Sequence, residues 1–165
     1  MRLTATLLCT ALLLASCGGS GDPVALTKLG EKALGSQDFA SALSEFEAAL
    51  EAIGADSSHA YYLRARLGSI EARAATDAAK ALAEVIELST ARTGAVDDAD
   101  FNRIASRMAS AGKFKEAVAL LGHAKGLFPE SAHLDKLGAK LASDAKKADD
   151  PEAMAALKGM GYVGE

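Results

Sequence analysis

Residues 23–54 read PVALTKLGEKALGSQDFASALSEFEAALEAIG, and this stretch decides the fold. Val24, Leu26, Leu29, Ala33 and Leu34 recur three and four apart, the spacing that puts side chains on one face of a helix. Asp22 followed by Pro23 reads as an N-cap with proline at the first helical position. Gly35-Ser36-Gln37-Asp38 interrupts the pattern, and a second helix is expected from Phe39 to Ile53. Its apolar side carries Phe39, Ala42, Leu43, Phe46, Ala49, Leu50 and Ile53; Glu45, Glu47 and Glu51 fall largely on the other, and Gly54 stops it. Two amphipathic helices joined by a short turn make a hairpin. From Asp22 onward no stretch alternates apolar with polar residues as a strand would, so the chain is expected to be all-α.

The hairpin returns 75 residues later. Leu26, Leu29, Gly30, Ala33, Phe39, Ala42, Phe46, Ala49 and Gly54 are matched in order by Phe101, Ile104, Ala105, Met108, Phe114, Ala117, Leu121, Ala124 and Pro129. Small side chains let two helices approach closely, and a large apolar one a turn later fills the space beside them. Leu26-x2-Leu29-Gly30-x2-Ala33 with Ala42-x3-Phe46, and Phe101-x2-Ile104-Ala105-x2-Met108 with Ala117-x3-Leu121 and Pro129, resemble the tetratricopeptide repeat. That resemblance covers residues 23 to 142 and implies a short α-solenoid of stacked antiparallel helical hairpins. Between the two copies, helices are expected over Ser57–Arg73, with Ala60, Leu63, Leu67, Ile70 and Ala74 as its core stripe, and over Asp77–Arg92, with Ala78, Leu82, Val85 and Ile86. The 75-residue interval exceeds two steps of about 34 residues, so the extra length belongs to this middle repeat. Leu134-x2-Leu137-Gly138-x2-Leu141 opens a fourth unit, and Asp150-Pro151 begins a last short helix. The repeat domain is therefore assigned to residues 23–148, with a capping helix and tail at 149–165.

Upstream, Arg2 precedes thirteen mostly apolar residues from Leu3 to Ala15, and Leu14-Ala15-Ser16-Cys17 closes the segment. The run is shorter than the roughly 20 residues of a membrane-spanning helix and reads as an export signal over residues 1–16. Leu-Ala-Ser-Cys resembles the lipobox of bacterial lipoproteins, which implies lipid on the Cys17 thiol and cleavage before it. Gly18-Gly19-Ser20-Gly21 then forms a short tether within residues 17–22. Gly18 stands where an aspartate marks inner-membrane retention in such proteins, so the resemblance points to the outer membrane of a bacterial envelope, facing the periplasm. Removing the leader would leave 149 residues with 17 basic and 22 acidic side chains. This acidic balance argues against nucleic acid as a partner. Cys9 would leave with the leader and Cys17 would be a thioether, so no disulfide is expected.

No catalytic constellation is found. His59, His123 and His133 lack the spacing of a metal site, and Asp97-Asp98-Ala99-Asp100 lacks the glycine and distant glutamate of a calcium loop, reading instead as an N-cap with acidic residues in the first turn. The tail around Leu157-Lys158-Gly159-Met160-Gly161-Tyr162-Val163 faintly resembles the ending of bacterial sulfatase-family chains, but the cysteine-or-serine signature those enzymes oxidise is absent. No enzyme activity, metal or cofactor is expected beyond lipid on Cys17. Recognition of a protein or peptide remains, since the repeat resemblance implies a concave groove lined by the first helix of each pair. Residues flanking the apolar stripes are the candidates: Thr27 and Glu31, Tyr61 or Tyr62 with Ala65 or Arg66, and Asn102 with Ser106. Tyr61, Tyr62 and Arg66 stand out because tyrosine and arginine are enriched at binding hot spots. The competing readings are an accessory subunit of an exported hydrolase and a self-assembling envelope component.

Overall fold

A computed structural model describes residues 21–164. Among them there are eight helices and no strand: α1 (Pro23–Gly35), α2 (Phe39–Ile53), α3 (Tyr62–Thr76), α4 (Ala78–Ala91), α5 (Asp98–Ser110), α6 (Phe114–Leu127), α7 (Ala132–Lys147) and α8 (Pro151–Gly159). Consecutive helices pair as α1/α2, α3/α4, α5/α6 and α7/α8. The first helices of the pairs pack in sequence, α1 on α3, α3 on α5 and α5 on α7, while α4, α6 and α8 form the second layer. The fold is a short α-solenoid of antiparallel hairpins. None of the described helices is long and apolar enough to cross a membrane.

Three of the four hairpins turn in the same way. After α1, α5 and α7 the chain enters the left-handed region at Gln37 (φ 62°), Gly112 (φ 73°) and Asp149 (φ 54°). The next amide then reaches back to the helix: Asp38 N–H donates to the Ala33 carbonyl, Lys113 to Met108 and Asp150 to Ala145, at 2.9–3.0 Å. This is the Schellman arrangement, which satisfies carbonyls that a helix end leaves open. Asp38 and Asp150 then cap the following helix, their carboxylates accepting from Ser41 N–H and Ala153 N–H. The middle hairpin differs, because Asp77 alone separates α3 from α4, ending one and capping the other through Lys80 N–H.

The core is built by rings set against glycines. Phe46 of α2 is fully buried, and a β-carbon at Gly30 of α1 would lie 2.9 Å from its ring carbons. Gly68 of α3 faces the same ring so closely that a β-carbon there would overlap it. Phe46 is thus clamped between two helices that only glycine allows to come so near. Tyr162, beyond α8, covers Gly138 of α7 in the same manner, and its hydroxyl donates to Asp135 at 3.2 Å. Ala42, Ala49, Ala65 and Ala72 complete the Phe46 cluster, while Ile70, Val85, Phe101, Ile104, Met108, Leu121, Leu134, Leu141 and Leu157 belong to the larger core that runs through the remaining hairpins.

Helix α3 also carries two buried charges of opposite sign. The Arg73 guanidinium donates through Nη1 to Glu84 of α4 at 2.6 Å and through Nη2 to Glu47 of α2. Two residues earlier, Glu71 accepts from Arg103 Nε at 2.5 Å and from Arg107 Nη2 at 3.1 Å, both on α5. One helix is thereby tied to three neighbours by ion pairs.

Two sequence expectations are corrected. The third helix begins at Tyr62 rather than Ser57, because local side chains claim the backbone first: Asp56 accepts from both the amide and the hydroxyl of Ser58, and His59 Nδ1 accepts from Tyr61 N–H. Ala60, placed in the core stripe, is accordingly exposed. Leu29, expected on the apolar face of the first helix, is 50% exposed. The packed arc of α1 runs through Leu26, Thr27, Gly30, Ala33 and Leu34, and among the described residues no helix precedes α1 to cover Leu29.

Candidate functional site

The first helices α1, α3 and α5 form one wall of the solenoid, and a groove of about 560 Å³ opens between them. Its apolar surface comes from Leu34 of α1, Ala60 before α3, and Leu63 and Leu67 of α3. Gly68 has no side chain to cover Phe46, so the phenylalanine ring also reaches the groove lining. Charged residues wall this floor on two sides. Arg64 of α3 holds Glu31 of α1 in a two-pronged pair, Nε to Oε1 and Nη2 to Oε2, the latter at 2.8 Å. The bonded Glu31 carboxylate, through its hydrogen bond and then its charge, pushes the Arg64 pKa further above its ordinary value. On the far side Arg103 bridges Glu71 and Asp100, the second contact through Nη2 at 2.8 Å.

Arg103 also belongs to a second, shallower depression of about 340 Å³ on α5, lined with Asn102, Ser106, Arg107 and Ser110. The two depressions share this side chain and lie in tandem across α3 and α5. Beneath them Arg107 stacks its guanidinium over Phe39 of α2, 5.0 Å from the ring centroid, and its buried Nε has no hydrogen-bond partner among the described residues.

The residues singled out from the sequence divide between this surface and other places. Glu31 lines the larger groove, and Asn102 and Ser106 line the smaller one. Thr27 is fully buried and donates its hydroxyl to the Pro23 carbonyl at 2.7 Å. Ala65 is buried in the Phe46 cluster. Tyr61 precedes α3 with the Arg64 guanidinium 5.7 Å from its ring centroid, and Tyr62 holds Arg92 at 5.4 Å, at the end of α4. Neither tyrosine lines the grooves, nor does Arg66, whose carbonyl accepts from the Ser69 hydroxyl. The groove residues of α3 are instead Leu63, Arg64, Leu67, Gly68 and Glu71. A signal for them stood in the sequence, since Leu67-Gly68 repeats Leu29-Gly30 and Leu137-Gly138 and fixes the register of the middle repeat.

The histidines and acidic loop have local partners. His123 Nε2 lies 3.1 Å from the Ser89 hydroxyl, and His133 Nδ1 lies 3.3 Å from Asp98. Asp97 and Asp100 form a reciprocal capping box at the start of α5. A hydrogen bond from the Ser131 hydroxyl at 2.5 Å holds the Asp98 carboxyl below its usual pKa. Among the described residues no group of three histidine, cysteine or acidic side chains is placed to hold a metal ion. Cys17 lies outside the described residues. No protein-family model, curated protein or solved structure matches this chain.

Proposed function

We propose that this chain is a lipid-anchored adaptor of the bacterial cell envelope, similar to tetratricopeptide-repeat proteins, that holds another protein or a peptide along the surface of α1, α3 and α5. The observation that carries the reading is the tandem groove. Its floor is lined by Leu34, Leu63, Leu67 and, beneath Gly68, the Phe46 ring, and its charged walls are fixed by ion pairs. Pockets of about 300–1,000 Å³ with an apolar lining and few polar groups are the usual shape of binding sites. The role is binding rather than catalysis, and the anchor is the lipid on Cys17.

The test is site-specific photo-crosslinking in cells. A benzophenone side chain at Ala60, exposed on the groove, should yield a discrete adduct, while one at Ala83, exposed on α4, should yield none. Equal adducts from both positions would refute the groove. The anchor is tested by Cys17→Ser, which should abolish labelling by a radioactive fatty acid and leave uncut precursor; retained labelling would refute the lipoprotein reading.

A further inference from the structure

We propose that the tandem groove selects an uncharged, two-part peptide segment: apolar side chains over the α1–α3 floor, followed by small hydrogen-bonding residues over Asn102, Ser106 and Ser110. This rests on the binding reading above and specifies its ligand. The first part of the argument is charge balance. Glu31, Glu71 and Asp100 stand against Arg64, Arg103 and Arg107, and every one of these six is engaged with another. These six charges sum to zero and already hold one another, so neither an acidic nor a basic ligand meets a surplus of opposite charge. Arg64 and Arg103 are about half exposed and such pairs are individually weak, so it is the balance of charge that leaves a ligand's own charge without advantage here.

The remaining capacity suits neutral groups. Nε and Nη2 of Arg64 and Arg103 are used within the protein, and Nη1 of each makes no hydrogen bond among the described residues. Those donors match peptide carbonyls. Each engaged carboxylate oxygen keeps a lone pair that matches a peptide N–H. A segment crossing from the larger depression to the smaller one would therefore find apolar floor under its side chains first. Its polar part would then meet an amide, Asn102, and two hydroxyls, Ser106 and Ser110, with Arg103 at the boundary.

The test titrates the full chain with fluorescently labelled synthetic peptides, capped at both ends. The probe reads leucine-phenylalanine-leucine-glycine-serine-asparagine-serine; its relatives carry two added glutamates, two added lysines, or no serine-asparagine-serine part. The neutral probe should bind with an affinity that changes less than about twofold between roughly 50 and 500 mM salt, a range over which screening of exposed charges rises steeply. Leu63→Ser should weaken it about tenfold. Ala60→Trp, at an exposed position that does not enter the core, should abolish binding while leaving the helical melting curve unchanged. Asn102→Ala should weaken the complete probe and leave the shortened one unaffected. Tighter binding of either charged relative, with strong salt dependence, would overturn the neutral specificity and leave the groove standing. Failure of every peptide to bind a chain that still crosslinks from Ala60 would do the same. Binding undiminished by both Ala60→Trp and Leu63→Ser would overturn the ligand and the groove together.

Discussion

The contact between Gly68 and Phe46 allows a quantitative test of the packing. Phe46 is fully buried, and a ring of its size removes roughly 150–250 Å² from water, about 4–6 kcal/mol of gross hydrophobic stabilisation. In Gly68→Ala the new methyl would overlap that ring, which has no room to withdraw because Gly30 closes the other side. Overpacking of this kind costs about 1–3 kcal/mol, against which the better helix propensity of alanine returns up to ~1 kcal/mol. A net loss of about 1–2 kcal/mol is expected. Phe46→Leu alone should cost about 1–2 kcal/mol, since leucine refills most of the space. Leucine also removes the outer ring atoms that the methyl would strike, so in its background Gly68→Ala should become neutral or slightly stabilising. The predicted coupling is then about 1–2 kcal/mol, well above the few tenths seen for independent sites. Urea titration of the four proteins, with an unchanged slope, measures it directly. Losses that add within about 0.5 kcal/mol would show that the ring and the glycine do not meet.

Arg73→Met should cost about 3–5 kcal/mol, because Glu84, with only 13% of its side chain exposed, would stay buried without a partner. Adding Glu84→Leu should restore most of that loss in the same titration; no recovery would refute the pairing as its source. Gln37→Gly should raise stability by about 0.5–1 kcal/mol by removing the cost of a left-handed glutamine, and a destabilised variant would refute the turn. Hydrogen bonds from Ser41 and Ser131 lower the carboxyl pKa values of Asp38 and Asp98, and those from Lys125 and Lys140 lower the values of Asp135 and Asp144. Groups whose folded pKa is depressed stabilise the fold fully above the unfolded value of about 4 and lose that contribution as pH falls through the folded value. The melting temperature should therefore fall below about pH 4, and a flat profile down to about pH 2 would contradict the assignment.

How much of this was legible in the chain depended on whether each residue served one purpose. The second helix runs from Phe39 to Ile53 as its periodicity indicates, because Ala42, Leu43, Phe46, Ala49 and Leu50 pack into one cluster and Gly54 ends it. Gly112 announces its turn, whereas Gln37 and Asp149 adopt the same left-handed geometry with nothing in their composition to mark it. The start of α3 was hidden by short-range bonds from Asp56 and His59, and its groove register was obscured because Arg64 and Glu71 occupy positions where the first hairpin has Leu26 and Ala33. Tyr61 and Tyr62 have the composition of contact residues; their rings lie beside Arg64 and Arg92, and the second pairing joins residues 30 positions apart, which local periodicity does not encode. Thr27 shows the same limit in reverse: a polar residue became core because its hydroxyl found a carbonyl one turn back.

Stacked hairpins ordinarily touch only their nearest neighbours, so such arrays tend to fray from the ends inward. Helix α3 works against that habit. Its arginine grips the helices on one side and its glutamate grips the next hairpin on the other, while a lone aspartate joins it stiffly to α4. A molecule latched at its middle in this way loses its extremities only by surrendering the latch, and its thermal unfolding should register as a single event from first helix to last.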